Sequence, residues 1–154
     1  MTTMILRSAP LLLSLFLFTG CALSTPSKTS SESERSMHVQ YLEIVTPEVD
    51  ATCKVLSAAR GVTFSEPVPE LGMARTAALV GGGQIGVRAP MRDTEEPVVR
   101  PYVLVEDIES AVAAAKSAGA EIALPPTEIP GRATFAIYIL GGIQHGLWQN
   151  PIEP

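Results

Sequence analysis

Four stretches of the chain carry polar or aromatic side chains at even spacing, which places them on one face of a β-strand. Aromatic faces with a few hydrogen-bonding groups suit a small organic ligand, and an arginine among them could pair with a carboxylate or phosphate. The eight candidates are Tyr41 and Glu43, Gln84 and Arg88, Arg100 and Tyr102, and Gln144 and Trp148. An equally open alternative is that Glu43 and one arginine form a buried structural pair and Trp148 fills space.

Patterns for several other kinds of site are absent from the sequence. It contains no CxxC or HxxxH spacing and no Gly-x-Ser-x-Gly elbow. Glycines 81–83 lie between two predicted strands, so they are expected to turn a hairpin and not to hold a phosphate. Cys53 falls within a predicted helix with no histidine near it in sequence, which favours a small core residue over a nucleophile.

A nine-residue motif occurs twice in the chain, at an offset of 60 residues. Residues 79–87 read LVGGGQIGV, and residues 139–147 read ILGGIQHGL. A predicted helix precedes each copy. The first begins at the acidic tripeptide 48–50 and ends at Gly61, and the second begins at the acidic tripeptide 107–109 and ends at Gly119. Two copies are too few for a stacked array, so the repeat predicts two modules closing as a pseudo-symmetric pair around a shared cavity.

Each copy is predicted to form a βαβββ unit, which gives an α+β domain over residues 38–150. Module one, 38–90, is predicted to contain strand 38–46, helix 47–61, and strands 62–64, 73–80 and 84–89. Module two, 98–149, is predicted to contain strand 98–105, helix 106–118, and strands 121–124, 133–140 and 144–149.

The order of these elements, together with several short motifs, resembles the vicinal oxygen chelate superfamily, the fold of glyoxalase and bleomycin resistance proteins. The motifs are YLEI at 41–44, TPEVD at 46–50, EDIESAV at 106–112, AGAE at 118–121, PPTEIPG at 125–131 and GIQHGLWQ at 142–149. The resemblance implies two βαβββ modules that form an open half-barrel around one cavity. The eight candidate side chains named above would line that cavity.

The resemblance also implies where a metal would bind, since enzymes of this superfamily usually hold a divalent cation with His and Glu side chains. Those positions fall on Tyr41, Gly86, Arg100 and Gly146. Glycine and arginine supply neither carboxylate oxygen nor imidazole nitrogen, so no metal cofactor is expected.

His38 and His145 are the two histidines of the chain. Strand alternation puts them on the faces opposite Tyr41 and Gly146, so both are expected to look away from the cavity. Each is interpreted as a surface or packing residue.

The N-terminus has the pattern of a bacterial lipoprotein signal. Within residues 1–20, Arg7 precedes an apolar run at 11–18 that is too short to cross a bilayer as a helix. The following Gly20-Cys21 resembles a lipobox, so acylation of Cys21 is predicted, with cleavage at an ordinary small-residue site as the alternative.

A membrane tether is expected after the signal. Residues 21–37 are rich in Ser and Thr and are predicted to be a flexible linker to an extracytoplasmic membrane surface. The outer membrane is favoured in a cell that has one, because Ala22 is not the aspartate associated with inner-membrane retention. The net charge of -5 becomes -6 without Arg7, which argues against a nucleic-acid partner.

The leading hypothesis is therefore a membrane-tethered domain that binds a small organic ligand in a metal-free cavity. Catalysis is left open: the alternative is a lyase or dioxygenase of the same superfamily, acting through an unexpected metal site or through Glu43. A third hypothesis is a structural domain whose own side chains fill the cavity. A homodimer is possible in each case.

Overall fold

The computed structural model describes residues 37–151, which contain seven strands and two α-helices. The strands are β1 (Val39–Val45), β2 (Arg75–Ala78), β3 (Gln84–Arg88), β4 (Val98–Leu104), β5 (Glu121–Ile129), β6 (Ala133–Leu140) and β7 (Ile143–Gln149). The helices are α1 (Val49–Arg60) and α2 (Ile108–Ser117), and a 3-10 turn, Pro69–Leu71, precedes β2. No helix among these residues is long and apolar enough to cross a membrane. The predicted signal and Cys21 lie outside the described residues, as does nearly all of the tether.

All seven strands form one mixed sheet in the order β2-β3-β1-β4-β7-β6-β5. β1 and β4 pair antiparallel at its centre. On one side β1 pairs parallel with β3, and on the other side β4 pairs parallel with β7. The pattern is therefore repeated on both sides of the β1–β4 pair, and the predicted α+β class is confirmed.

Module one has three strands, because the strand predicted at residues 62–64 does not form. The segment after it touches the edge of β2 at isolated points: the Ser65 N–H donates to the Thr76 carbonyl at 2.8 Å, and Val68 forms a single bridge with Ala74. Pro67 and Pro69 have no N–H to donate, so this segment cannot extend into a continuous ladder.

Strand β5 is longer than the predicted 121–124 and runs through Pro125 and Pro126 to Ile129. It lies at the edge of the sheet and pairs only with β6. The register shifts between Leu124 and Thr127, so the two prolines fall at an irregularity of an edge strand. At an edge strand and at a register shift, the missing backbone N–H of proline costs little, because no neighbouring strand needs that donor.

The inner face of the sheet, defined here as the face that carries Tyr41 and Glu43, holds the larger of two apolar clusters. Its buried members are Tyr41, Leu71, Ala74, Tyr102, Ile129, Ala133 and Trp148. The outer face carries the two helices, and under α2 a smaller cluster packs around Ile108, Ala136 and Leu147.

Two glycines of the inner face make room for tyrosine rings. A Cβ built on Gly86 would lie 1.8 Å from the Tyr41 hydroxyl, and one built on Gly146 would lie 2.2 Å from Cδ1 of Tyr102. Both tyrosines are buried, at 5% and 3% exposure, so a Cβ at either glycine would push a packed ring out of its position. Each glycine is thus required by the ring above it.

We expect Gly146→Ala to lower the free energy of unfolding by about 1–3 kcal/mol, the usual cost of overpacking a filled core. Chemical denaturation of the variant measures this loss. In a Tyr102→Ala background the same substitution should cost nothing or be slightly stabilising, because the ring is gone and alanine lowers the entropy of the unfolded chain. An equal loss of unfolding free energy in both backgrounds would contradict the proposed packing of the Tyr102 ring against Gly146.

Candidate functional site

Strand pairing brings together on the inner face the four neighbouring strands that carry the candidate side chains, β3, β1, β4 and β7. Glu43 of β1 lies opposite Gly86 of β3 on one side and opposite Arg100 of β4 on the other. Tyr102 of β4 lies opposite Tyr41 and also beside Gly146 of β7. The inner face around the β1–β4 pair is therefore the meeting point of both modules.

A buried ion cluster occupies this meeting point. The Glu43 carboxylate accepts hydrogen bonds from Arg88 Nε at 2.6 Å, from an Arg100 Nη, and from the Tyr102 hydroxyl at 3.1 Å. Glu43, Arg88 and Arg100 are exposed by only 6%, 5% and 4%. Burial of three charges is tolerated because each is paired and hydrogen-bonded.

Glu95, in the loop between the modules, completes the charge balance. Its two carboxylate oxygens accept from the two Nη atoms of Arg88 at 2.9 and 2.7 Å, and one also accepts from the Met91 N–H at 2.8 Å. The hydrogen bonds from Arg88 lower the pKa of Glu95 from 4.5 to about 2. Burial alone would lower the pKa of Arg88, but its bonds to Glu95 and Glu43 raise it overall, so both groups stay charged.

Gln144 of β7 fixes the second arginine. Its side-chain oxygen accepts from Arg100 Nε at 2.9 Å and from an Arg100 Nη. The remaining Arg100 Nη donates to Glu43 and to the Tyr102 hydroxyl. Most donors of both guanidiniums are therefore used within the protein.

Aromatic rings form the other part of the site. Trp148 stacks on Tyr41 with ring centroids 5.3 Å apart and meets Tyr102 edge-on at 6.1 Å. Phe135 of β6 packs edge-on against Tyr102 at 6.0 Å. Burial, with the Glu43 charge as a smaller cause, raises the pKa of both tyrosines, so their hydroxyls stay protonated.

The Tyr41 hydroxyl is the one buried side-chain polar atom in residues 37–151 that has no hydrogen-bond partner. A buried hydroxyl without a partner costs about 1–3 kcal/mol, and such groups usually mark a position where a ligand or water binds. The hydroxyl lies against Gly86 and is itself buried, so a ligand in the adjoining cavity can bond to it only after a shift of the Tyr41 ring, whereas the polar atoms of the ion cluster are already engaged.

A cavity of about 240 Å³ lies over the ion cluster and the aromatic rings. Six of the eight predicted residues line it: Tyr41, Glu43, Arg88, Arg100, Tyr102 and Trp148. Its remaining wall is largely apolar, with Leu71 from module one, Met91 from the loop between the modules, and Leu124, Phe135 and Ile137 from module two, and it also includes Glu70. One side is therefore polar and charged and the other apolar.

The other two predicted residues lie outside this cavity. Gln144 stands behind Arg100, as described above. Gln84 is exposed and lines a neighbouring cavity of about 270 Å³, which shares Tyr41, Leu71 and Trp148 with the first. Sequence reasoning did not find Glu95 or the 3-10 turn residue Leu71, because both lie outside strands and carry no alternation signal.

The inner face does not fit a divalent cation. Rings of Tyr41 and Tyr102 fill the space over Gly86 and Gly146, and a guanidinium stands at position 100. Within residues 37–151 there is no group of three or more His, Cys, Asp or Glu side chains placed to hold a metal.

The two histidines lie on the outer face. His145 stacks on Tyr138 with ring centroids 5.0 Å apart. His38 lies near Gly82, at the end of β1. Neither contributes to the lining of the inner-face cavity.

Comparison with known proteins gives structural likeness only. No family model and no curated protein sequence matches the chain. A hypothetical protein from Bacillus halodurans is similar in structure, with a TM-score of 0.61, 13% identity, and coverage of 78% of this chain and 99% of that one. Methylmalonyl-CoA epimerase from Mycobacterium tuberculosis gives a TM-score of 0.57 at 16% identity, covering 73% and 87%.

The methylmalonyl-CoA epimerase of Streptomyces coelicolor, solved with 2-nitronate-propionyl-CoA, gives a TM-score of 0.55 at 16% identity and covers 76% of this chain and 100% of that one. At these identities the likeness establishes the fold alone. The mixed sheet, its two helices and these structural neighbours show that the chain has the vicinal oxygen chelate fold.

Proposed function

We propose that the inner-face cavity binds a small, uncharged organic molecule without a divalent metal, in a domain that is tethered to a membrane by lipid on Cys21. The observation that carries the metal-free part is the Arg88–Glu43–Arg100 cluster, which occupies the place where the superfamily resemblance expects metal ligands. The carboxylates of Glu43 and Glu95 are bound by guanidiniums there, so neither is free to coordinate a cation.

The charge balance argues for an uncharged ligand. Two arginines face two carboxylates, Glu43 and Glu95, so the cluster has no net charge to offer an ionic ligand. An incoming carboxylate would have to displace Glu43 from a buried pair, which typically costs several kcal/mol. A hydrogen bond to the unpartnered Tyr41 hydroxyl requires a shift of that ring but breaks no ion pair, and contact with the Trp148 ring requires no displacement.

The size and lining of the cavity narrow the ligand further. At about 240 Å³ it is smaller than the roughly 300–1,000 Å³ of pockets for drug-sized molecules. Aromatic and aliphatic side chains form one wall, so a flat apolar body with a single polar group fits best.

Acid–base chemistry through Glu43, the alternative raised by the sequence, receives no support from the geometry. Both carboxylate oxygens accept hydrogen bonds from guanidiniums, and one also accepts from Tyr102. A substrate proton could reach Glu43 only after one of these ion pairs opens. A purely structural role is disfavoured because the side chains leave the cavity open.

Ligand binding can be followed by the fluorescence of Trp148, since it is the only tryptophan of the chain. We expect members of a library of neutral aromatic amides and phenols, with benzamide as the first probe, to change this emission saturably. Tyr41→Phe should weaken binding of such probes about 2- to 10-fold, the worth of one hydrogen bond. Tyr138→Phe, on the outer face, is the matched control and should have no effect. A library without a single saturable hit would refute the binding proposal.

Metal analysis tests the other half of the proposal. The full chain, purified without a polyhistidine tag or chelator, should contain far less than one equivalent of any transition metal by mass spectrometry. Added zinc, nickel, manganese or iron should leave its Tm unchanged, because nothing binds the folded state preferentially. Near-stoichiometric metal, or a large Tm increase with one ion, would overturn the metal-free assignment.

Lipid anchoring rests on the sequence of residues 1–37, and cell fractionation tests it. The wild-type chain expressed in a bacterium with an outer membrane should be recovered with that membrane, and Cys21→Ser should be released from it, because a serine hydroxyl does not replace the acylated thiol. Cys53→Ser is the matched control and should stay anchored. Membrane retention of Cys21→Ser would contradict the anchor.

A further inference from the structure

A further cavity lies on the outer face of module one, between α1 and the sheet. This outer groove has a volume of about 750 Å³ and is lined by β1, by the end of α1, by the irregular segment after it and by the glycine turn before β3. Its apolar lining includes Leu42, Ile44, Leu56, Val62, Phe64 and Leu79, all of them half-buried. Leu42 and Ile44 alternate with Tyr41 and Glu43, so the groove and the inner-face cavity are on opposite sides of the sheet.

Comparison of the two modules explains why the groove is open. Ile85 of β3 pairs with Ala77, whereas His145, at the equivalent position of the repeat, pairs with Tyr138. In module two the stacked rings of Tyr138 and His145 fill the outer face beside the α2 cluster. In module one Ala77 and Ile85 take their place with smaller side chains, and Ile85 lines the groove.

The segment that failed to form a strand builds one wall of the groove. Because residues 62–64 do not join the sheet, Val62 and Phe64 turn their side chains toward the groove. Leu56 of α1 faces the same space, and among α1 residues only Cys53 is fully buried. Several large apolar side chains thus share a space that no described part of the chain fills, which is the usual mark of a binding surface.

The charges around the groove select the kind of ligand. The chain carries 16 acidic and 11 basic residues, yet none of the acidic side chains within residues 37–151 lines the groove. Its one charged lining residue is Arg60, which makes no ion pair with any residue in 37–151. A long apolar body with one anionic head group complements this lining.

We propose that the outer groove binds a free long-chain carboxylate, with its alkyl chain along Leu42, Ile44 and Phe64 and its head group at Arg60. This is a second site, independent of the inner-face cavity and of its proposed ligand. Burial of the alkyl chain supplies the affinity, and Arg60 supplies the preference for an anion.

Calorimetric titration of the full chain tests the proposal, with dodecanoate below its critical micelle concentration as the probe. We expect saturable binding at one site and much weaker binding of dodecyltrimethylammonium, which has the same chain length and the opposite charge. Arg60→Gln should weaken dodecanoate binding about tenfold, the usual worth of one charge-assisted contact. Lys54→Gln removes a positive charge from the same helix outside the groove and is the matched control.

Two further measurements separate this site from others. Leu56→Glu, which puts a carboxylate into the groove, should abolish dodecanoate binding while circular dichroism and Tm confirm that the variant is folded. Trp148 fluorescence should not respond to dodecanoate, because Trp148 lies on the inner face. The proposal is overturned by absence of saturable binding, by equal affinity for the cationic detergent, by binding that survives both substitutions, or by quenching of Trp148 that Tyr41→Ala removes.

Discussion

The carboxylate of Glu43 ties together the two halves of the domain. It lies on β1, and its two arginine partners lie on β3 of the same module and β4 of the other. Removing one partner from a buried pair of this kind typically costs about 3–5 kcal/mol, because the remaining charge is left without compensation. Each of these arginines also binds a residue from a further part of the chain. Arg88 donates to Glu95 of the loop between the modules, and Arg100 donates to Gln144 of β7.

This cluster also explains how the fold dispenses with metal ligands without leaving a void. Where the superfamily resemblance expects ligand side chains on β3 and β7, Gly86 and Gly146 leave room for the rings of Tyr41 and Tyr102. The rings then shield the ion cluster from water on one side. These three features therefore depend on one another: the glycines that replace metal ligands make room for the tyrosine rings, and the rings pack beside the paired arginines.

Much of this arrangement could be predicted from the sequence, because strands alternate with a period of two and the repeat reveals both copies. That rule placed six of the eight candidates around the cavity and both histidines on the outer face. It could not predict the role of Glu95, because this residue contacts Arg88 from a loop. Nor could it predict the packing of the Tyr102 ring against Gly146, because that contact depends on a distance between strands. It also assigned a strand to residues 62–64, which form none: the chain reaches β2 only at isolated points after them, and Pro67 and Pro69 lack the donors that would extend that pairing.

Divergence between the two copies gives the inner cavity its two sides. The register of β1 with β3 and of β4 with β7 makes Glu43 equivalent to Tyr102, because each lies opposite a glycine. The same registers make Arg100 equivalent to Tyr41 and Arg88 equivalent to Trp148. At each of these three positions one module carries a charge and the other an aromatic ring. Two identical copies of module two would bury two arginines at these positions with no carboxylate among them, which is costly. Because each equivalent pair combines one charged and one aromatic side chain, each guanidinium pairs with a carboxylate and the aromatic rings pack against one another. It also sets an apolar surface beside a polar one in a single cavity.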